Sequence, residues 1–219
     1  MKPWAILPVK EMAGAKQRLA PLLSPEERTT LMQVMLRDVL AALLAAQGLA
    51  GIAVVTLDPW AQELAQKYGA RIITEGAREG HTGAVTAAAS VLQAEGVAAI
   101  LTLPGDIPAL KTPEIEDLIA AASASPAFII APAHDEQGSN SILMSPPDAV
   151  KLRFGEDSYF PHLAAARAAG IAPQILRLSG IAMDLDHPAD IARFARIPES
   201  RGTQTLAWLM QNGILSRLA

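Results

Sequence analysis

Three cations fall close together near the amino terminus, Lys10, Lys16 and Arg18, with Ala13-Gly14-Ala15 and Gln17 between them. Alanine and glycine let the backbone approach a ligand closely, and Lys and Arg side chains hold phosphate oxygens. The segment is neither GxxxxGK[ST] nor GxGxxG, so it would be a phosphate loop of another kind. The competing explanation is a solvated basic loop. Asp106 lies in Pro104-Gly105-Asp106-Ile107-Pro108, directly after an apolar run. Thr112-Pro113 is the expected cap of the next helix, which leaves Asp106 for other work. Asp184 and Asp186 flank Leu185, and period-2 alternation would point both to one face. Asp106 with one of them can hold magnesium, which takes a few carboxylates plus substrate phosphates. For Asp186 the competing role is N-cap of a helix opening at Pro188.

The elements that must position these residues follow from hydrophobic patterning. Apolar, β-branched runs are expected as strands at Trp4–Val9, Ile52–Leu57, Arg71–Thr74, Ala98–Leu103, Ala127–Pro132, Ser141–Met144, Gln174–Leu178 and Ile181–Leu185. They alternate with longer Ala/Leu-rich segments, the pattern of an α/β domain with a mostly parallel, mixed sheet between helical layers. Ser24-Pro25-Glu26-Glu27 opens a helix with N-cap, first-turn proline and capping-box glutamate. Leu31, Met35, Val39 and Leu43 then recur at helical spacing, and Gly48 ends the run. Further helices are expected over Gly83–Ala94, Pro113–Ala122 and His162–Ala169, and from Pro188 onward. A single domain is expected over residues 1–197. Residues 198–219 read as an amphipathic C-terminal arm that either packs on its own domain or joins two copies in a homodimer. In open sheets of this kind ligands sit beyond the carboxyl ends of the strands, where all the polar residues above fall.

Composition narrows the classes. The chain has 219 residues, 51% hydrophobic and 18% charged, with no cysteine. Disorder and a disulfide scaffold are both excluded. Net charge is 18 − 22 = −4 with no basic run, which argues against nucleic-acid binding. No apolar stretch approaches the roughly 20 residues of a membrane span, and a cytoplasmic enzyme is expected. The four histidines are scattered, without HExxH, and no GxSxG occurs.

Several segments together resemble one family. These are Leu7-Pro8-Val9-Lys10, Ala15-Lys16-Gln17-Arg18-Leu19-Ala20-Pro21, Leu23-Ser24-Pro25-Glu26-Glu27-Arg28 and Gly105-Asp106-Ile107-Pro108. They continue with Gly138-Ser139-Asn140, Phe154-Gly155-Glu156-Asp157-Ser158-Tyr159 with His162, and Asp184-Leu185-Asp186-His187-Pro188-Ala189-Asp190. The set is similar to nucleotidyltransferases of GT-A-like (Rossmann-like) fold, and most to the 2-phospho-L-lactate guanylyltransferases of deazaflavin coenzyme F-420 biosynthesis. That resemblance implies GTP and a phosphorylated three-carbon acid as substrates, with Mg2+ as the metal. It implies Lys10, Gly14, Lys16, Arg18, Gly80 and Thr82 on the nucleotide side, Lys16, Arg18 and Asp106 as the catalytic group, and Ser139, Gly155 and Ser158 on the acceptor acid. Metal would fall to Asp106 with Asp184 or Asp186. The chain departs from the family at Ser139, at His187 and most at Gly80-His81-Thr82-Gly83-Ala84, where Gly-Leu-Asn is usual. A cytidylyl- or molybdopterin-guanylyltransferase of similar fold, or an inactive nucleotide-binding subunit, are the alternatives.

Overall fold

A computed structural model describes residues 1–12, 14–155 and 157–218. Seven strands, β1 (Trp4–Pro8), β2 (Gly51–Val55), β3 (Arg71–Ile73), β4 (Ile100–Thr102), β5 (Ala127–Pro132), β6 (Ser139–Ser145) and β7 (Gln174–Ile175), form one sheet in the order β3-β2-β1-β4-β6-β5-β7. β1 pairs in parallel with β2 and β4, and β2 with β3. β6 runs antiparallel to both β4 and β5, and β7 is parallel to β5. The chain leaves β1 toward β2 and β3, then returns to place β4 on the other side of β1. Neighbouring connections therefore diverge at the carboxyl ends of β1 and β4, which opens a crevice there.

Helices cover both faces. On one side α1 (Pro25–Ala45), α2 (Pro59–Lys67) and α4 (Thr112–Ala121) bury Leu36, Val39, Leu64, Ile115 and Leu118 against Leu7, Val54, Leu101 and Leu143. On the other, α3 (Gly80–Ala94) and α5 (Tyr159–Ala168) bury Val85, Leu92, Tyr159 and Leu163 against Ile6, Val55, Ile130 and Ile142. Alternate residues of each strand thus feed opposite cores, which is why the strands read as continuous apolar runs. α6 (Pro188–Phe194) and α7 (Gln204–Gln211) close a third cluster over the first half of α1. No helix among the described residues is long and apolar enough to cross a membrane.

The expected α1 forms with its capping box, the Ser24 hydroxyl accepting from Glu27 N–H and the Glu27 carboxylate accepting from Ser24 N–H. Several expectations change: α3 and α5 begin three residues early, at Gly80 and Tyr159. α2 went unforeseen, although Asp58-Pro59 carries an N-cap aspartate and a first-turn proline. β6 begins at Ser139 rather than Ser141, so Ser139 and Asn140 lie inside a strand. The cap of α4 is Lys111, whose N–H donates to the Glu114 carboxylate, while Thr112 donates its hydroxyl to the Ala42 carbonyl. Ile181–Leu185 is not a strand. A turn bonds Ala182 N–H to the Leu178 carbonyl, and the following residues cross the end of the sheet without joining its ladder. Its alternation arises because Ile181, Met183 and Leu185 are buried.

The C-terminal segment packs on α1 of its own chain. Asp38 accepts from the N–H groups of Gln204 and Thr205 and from the Thr205 hydroxyl, and Arg217 pairs with Glu27. Leu209 and Ile214 are fully buried in this contact. Leu209→Ala should lower stability by about 2–5 kcal/mol through lost burial and a residual cavity. Urea unfolding checks this, and a loss under ~1 kcal/mol would show that the segment adds little to the core.

Candidate active site

The cationic loop after β1 is fixed at two points. Met12 N–H donates to Asp58, which also caps α2 by accepting from Ala61 N–H. Arg28 of α1, buried, donates its Nε to the Ala15 carbonyl and its Nη1 to the Leu23 carbonyl. Between these anchors Lys16 takes φ 54° and ψ 44°. For a residue with a Cβ this left-handed conformation costs roughly 1–2 kcal/mol, and it persists because the flanking bonds over-determine it. The result is directional. Lys16 Nζ lies 2.5 Å from Asp106 Oδ2 and 2.5 Å from Asp186 Oδ1, with its own side chain only 6% exposed. Arg18 Nη1 stands 3.8 Å from Asp186 Oδ2, at the rim.

The two aspartates arrive from distant parts of the chain. Asp106 follows β4, whose end is tied to β1 through Leu103 N–H to the Ile6 carbonyl. Leu185 N–H then donates to the Asp106 carbonyl and docks the 181–186 segment alongside. Upstream, Gly180 N–H donates to the buried Glu114 carboxylate; a Cβ at Gly180 would stand 2.4 Å from the Ala109 carbonyl oxygen, so only glycine fits. Downstream, the Asp190 carboxylate accepts from Asp186 N–H and His187 N–H, and His187 is the N-cap of α6. Asp186 is therefore not the helix cap, and its side chain is left for Lys16.

Charge in this cluster is partly compensated. Burial opposes the Lys16 charge, but Asp106 and Asp186 outweigh it and hold the lysine pKa above its ordinary value. Burial likewise disfavours the Asp186 carboxylate, yet Lys16 and then Arg18 bring its pKa below normal. Asp184 behaves oppositely. Burial, with the Asp106 and Asp186 charges adding, pushes it from 3.8 to about 6, despite a hydrogen bond from Asn140 Nδ2 at 3.0 Å. A carboxyl raised in this way binds a proton more readily folded than unfolded. Its contribution to stability therefore falls as pH climbs from about 4 to about 6 and stays lost above. In metal-free buffer, Asp184→Asn should raise the urea midpoint near pH ~8 and leave it unchanged near pH ~4. Equal effects at both pH values would contradict the shift.

Two cavities meet at this cluster. One, of ≈ 530 Å³, is lined by Lys10, Gly14, Lys16, Arg18, Asp106 and Asp186, with Met32 and Leu36 as an apolar wall. The other, of ≈ 920 Å³, is lined by Ser139, Gly155, Ser158 and Asp184 and shares Lys10, Arg18, Asp106 and Asp186 with the first. The antiparallel turn from β5 into β6 brings Ser139 to the same rim as Asp106. Gly155 lines this cavity at φ +138°, a conformation glycine adopts freely, with nothing beyond its chain neighbours within 4 Å of where a Cβ would stand.

Gly80 and Thr82 stand apart from both large cavities. Thr82 Oγ1 accepts from Phe154 N–H at 2.9 Å and thus ties the start of α3 to the Gly155 loop. The residue of that segment that does face both cavities is His81. Its ring lies 4.4 Å from that of Phe154, and burial, offset by Asp106 but aided by Lys10, brings its pKa to about 4. His81 therefore presents a neutral, flat surface at neutral pH. Asp58, Arg28, Asn140 and His81 are the working residues that sequence patterning did not single out. Asp58 and His81 had a signal, one ending a strand and the other standing where the family pattern breaks.

Comparison with known proteins gives the family. Residues 3–214 match the family described as Guanylyl transferase CofC like. The phosphoenolpyruvate guanylyltransferase of Conexibacter woesei is 35% identical over 202 residues, covering 92% of this chain and 91% of that protein. The 2-phospho-L-lactate guanylyltransferase of Methanothermobacter thermautotrophicus is 32% identical over 209 residues, 95% of this chain and 90% of that one. Among solved structures, a putative nucleotide-diphospho-sugar transferase from Desulfovibrio desulfuricans superposes with TM-score 0.78 at 20% identity, covering 99% and 98% of the two chains. A CMP:2-keto-3-deoxy-manno-octonic acid synthetase superposes at 0.61 and 14% identity, covering 97% and 100%. The distant structures share the fold, and the closer sequence relatives are named guanylyltransferases: the chain is a nucleotidyltransferase belonging to the CofC-like guanylyltransferase family.

Proposed function

We propose that this enzyme transfers GMP from GTP to the phosphate of a three-carbon phospho-acid, phosphoenolpyruvate, 2-phospho-L-lactate or 3-phosphoglycerate. The observation that carries the reading is the cluster of Lys16, Asp106 and Asp186 at the junction of two cavities. The smaller cavity, with Lys10, Lys16 and Arg18 on its walls, suits a nucleoside triphosphate. The larger, with Ser139, Ser158 and the open backbone of Gly155, suits a small dianionic acid.

A phosphate oxygen of the acceptor attacks the α-phosphorus of GTP, a new P–O–P bond forms, and the α–β bond breaks to release pyrophosphate. The nucleophile is already anionic, so no protein base is needed. Catalysis rests on positioning and on neutralising charge where it builds up. Lys16 and Arg18 act on the triphosphate oxygens, and Lys10 adds charge at the mouth.

Among the described residues no three His, Cys, Asp or Glu side chains form a ready-made metal cage. The donor chemistry nonetheless fits magnesium, which binds through one or two carboxylates and substrate phosphates. The carboxylates of Asp106, Asp184 and Asp186 outnumber the one buried ammonium among them; burial first, and then the Asp106 and Asp186 charges, raise the pKa of Asp184. Asp106 with Asp184 or Asp186 would hold the ion. Once bound, it supplies charge neutralisation at the transferring phosphoryl group.

The test is pyrophosphate release from each of the four nucleoside triphosphates, with magnesium and each of the three acids in turn. Release that requires GTP together with one acid supports the reading and names the acceptor. Release with CTP instead would overturn the choice of base, and release without any acid would overturn the transfer.

A further inference from the structure

His162 of α5 is 1% exposed and lies behind Ser139, with both ring nitrogens engaged. The Arg153 backbone N–H donates to Nε2 at 2.9 Å. A nitrogen that accepts carries no proton, so a neutral ring must carry its proton on Nδ1. Burial, with Arg153 adding, brings the His162 pKa to about 4, which keeps the ring neutral at working pH. Nδ1 stands 2.9 Å from Ser139 Oγ and therefore donates to it.

With the Ser158 hydroxyl as the donor in its contact with Ser139, the remaining hydrogens follow. Ser139 N–H donates to Ser158 Oγ at 3.1 Å, and the Ser158 hydroxyl donates to Ser139 Oγ at 3.3 Å. Ser139 Oγ now accepts twice, from His162 and from Ser158, which uses both its lone pairs. Its own hydrogen is left for the cavity that Ser139 lines.

From this relay we infer that His162 is a positioning residue that locks Ser139 as a hydrogen-bond donor and so selects an anionic oxygen, not a hydroxyl, at that point of the acceptor. The inference rests on the acceptor assignment proposed above. It goes beyond that assignment by fixing the direction of the hydrogen bond and the residue that imposes it. An unconstrained serine can turn to donate or accept and discriminates poorly. A serine whose lone pairs are filled leaves a hydroxyl-bearing ligand unpaired, which is costly in a buried site.

Nitrogen-15 NMR of the wild-type enzyme, histidine-labelled and free of substrate, reads the tautomer directly. The expected result is a protonated Nδ1 and an unprotonated Nε2 at His162. An Nε2–H tautomer would overturn the inference whatever the substrate is. Kinetics with GTP and phosphoenolpyruvate add a second test. His162→Gln keeps an acceptor near the Arg153 N–H but removes the donor to Ser139. It should raise the phosphoenolpyruvate KM by about 10- to 100-fold while the GTP KM holds. His162→Asn can retain the donor on the Nδ1 side and should raise that KM far less. If His162→Gln and Ser139→Ala both leave the phosphoenolpyruvate KM unchanged while the Nδ1–H tautomer is confirmed, the acceptor placement fails and the inference with it. If Ser139→Ala raises that KM but His162→Gln does not, the acceptor placement stands and the relay is wrong.

Discussion

Lys16→Met is expected to slow pyrophosphate release by about 100- to 1000-fold, the range seen when a preorganised donor to developing charge is removed. The side chain is nearly enclosed and lies 2.5 Å from two carboxylates, so the ammonium cannot be replaced in place by water at equal cost. Methionine keeps the length and the apolar stem but leaves Asp106 and Asp186 without their cation. Breaking a fully buried ion pair costs about 3–5 kcal/mol. Here Asp106 is 24% and Asp186 38% exposed, so solvent takes up much of that loss. The variant should therefore fold and unfold cooperatively at a modestly lower denaturant midpoint. Single-turnover release with saturating GTP separates the effect on chemistry from weakened binding. A rate within tenfold of wild type would remove Lys16 from the transition state.

Asp106→Asn is expected to lower turnover by roughly a thousandfold or more, the scale of losing several kcal/mol of charge organisation at the transferring phosphoryl group. The substitution is nearly isosteric, and the asparagine carbonyl can still accept from Lys16. The backbone bond from Leu185 N–H to the residue-106 carbonyl does not involve the side chain at all. Far-ultraviolet circular dichroism and the urea midpoint should accordingly match wild type. If turnover is unchanged, neither the metal nor the phosphate role of Asp106 stands. If activity is lost together with the midpoint, the aspartate is holding the fold and the kinetic result says nothing of chemistry.

Much of this arrangement could be read from residue types. The strands of the parallel half announce themselves because both faces are buried, and α1 carries its start signal in Ser24-Pro25-Glu26-Glu27. Lys16, Arg18 and Asp106 were legible because small residues, cations and a post-strand carboxylate fall where ligands bind in such sheets. Other features are set by tertiary contacts that leave no periodic trace. The alternation Ile181, Met183, Leu185 imitates a strand, yet those side chains enter two separate clusters and the backbone makes isolated bonds, as to His134 and Asp106, and joins no ladder. Asp186 was a plausible helix cap until Asp190 was seen to accept both amide hydrogens. Thr82 looked like a ligand contact by position, but its hydroxyl is spent on Phe154. His81 displaces it at the cavity because α3 starts at Gly80, earlier than the alanine-rich run suggests. Arg28 and Asp58 show their roles only in space, where they anchor the loop between them.

Lys16 meets Asp106 across 90 residues of chain and Asp186 across 170. A nascent polypeptide emerging from the ribosome can assemble β1 to β4 and the first aspartate while the second is still unmade. The sheet can therefore be largely built before the two-aspartate cluster is complete, since the 181–186 segment is synthesised only after β5, β6 and α5. Under the proposed function, nucleotide then meets its complete site only in the finished protein. It can stabilise the mature enzyme in proportion to its free concentration over its dissociation constant, but it cannot guide the earlier steps of folding. Those depend on the apolar faces of α1 and α3 finding the sheet unaided.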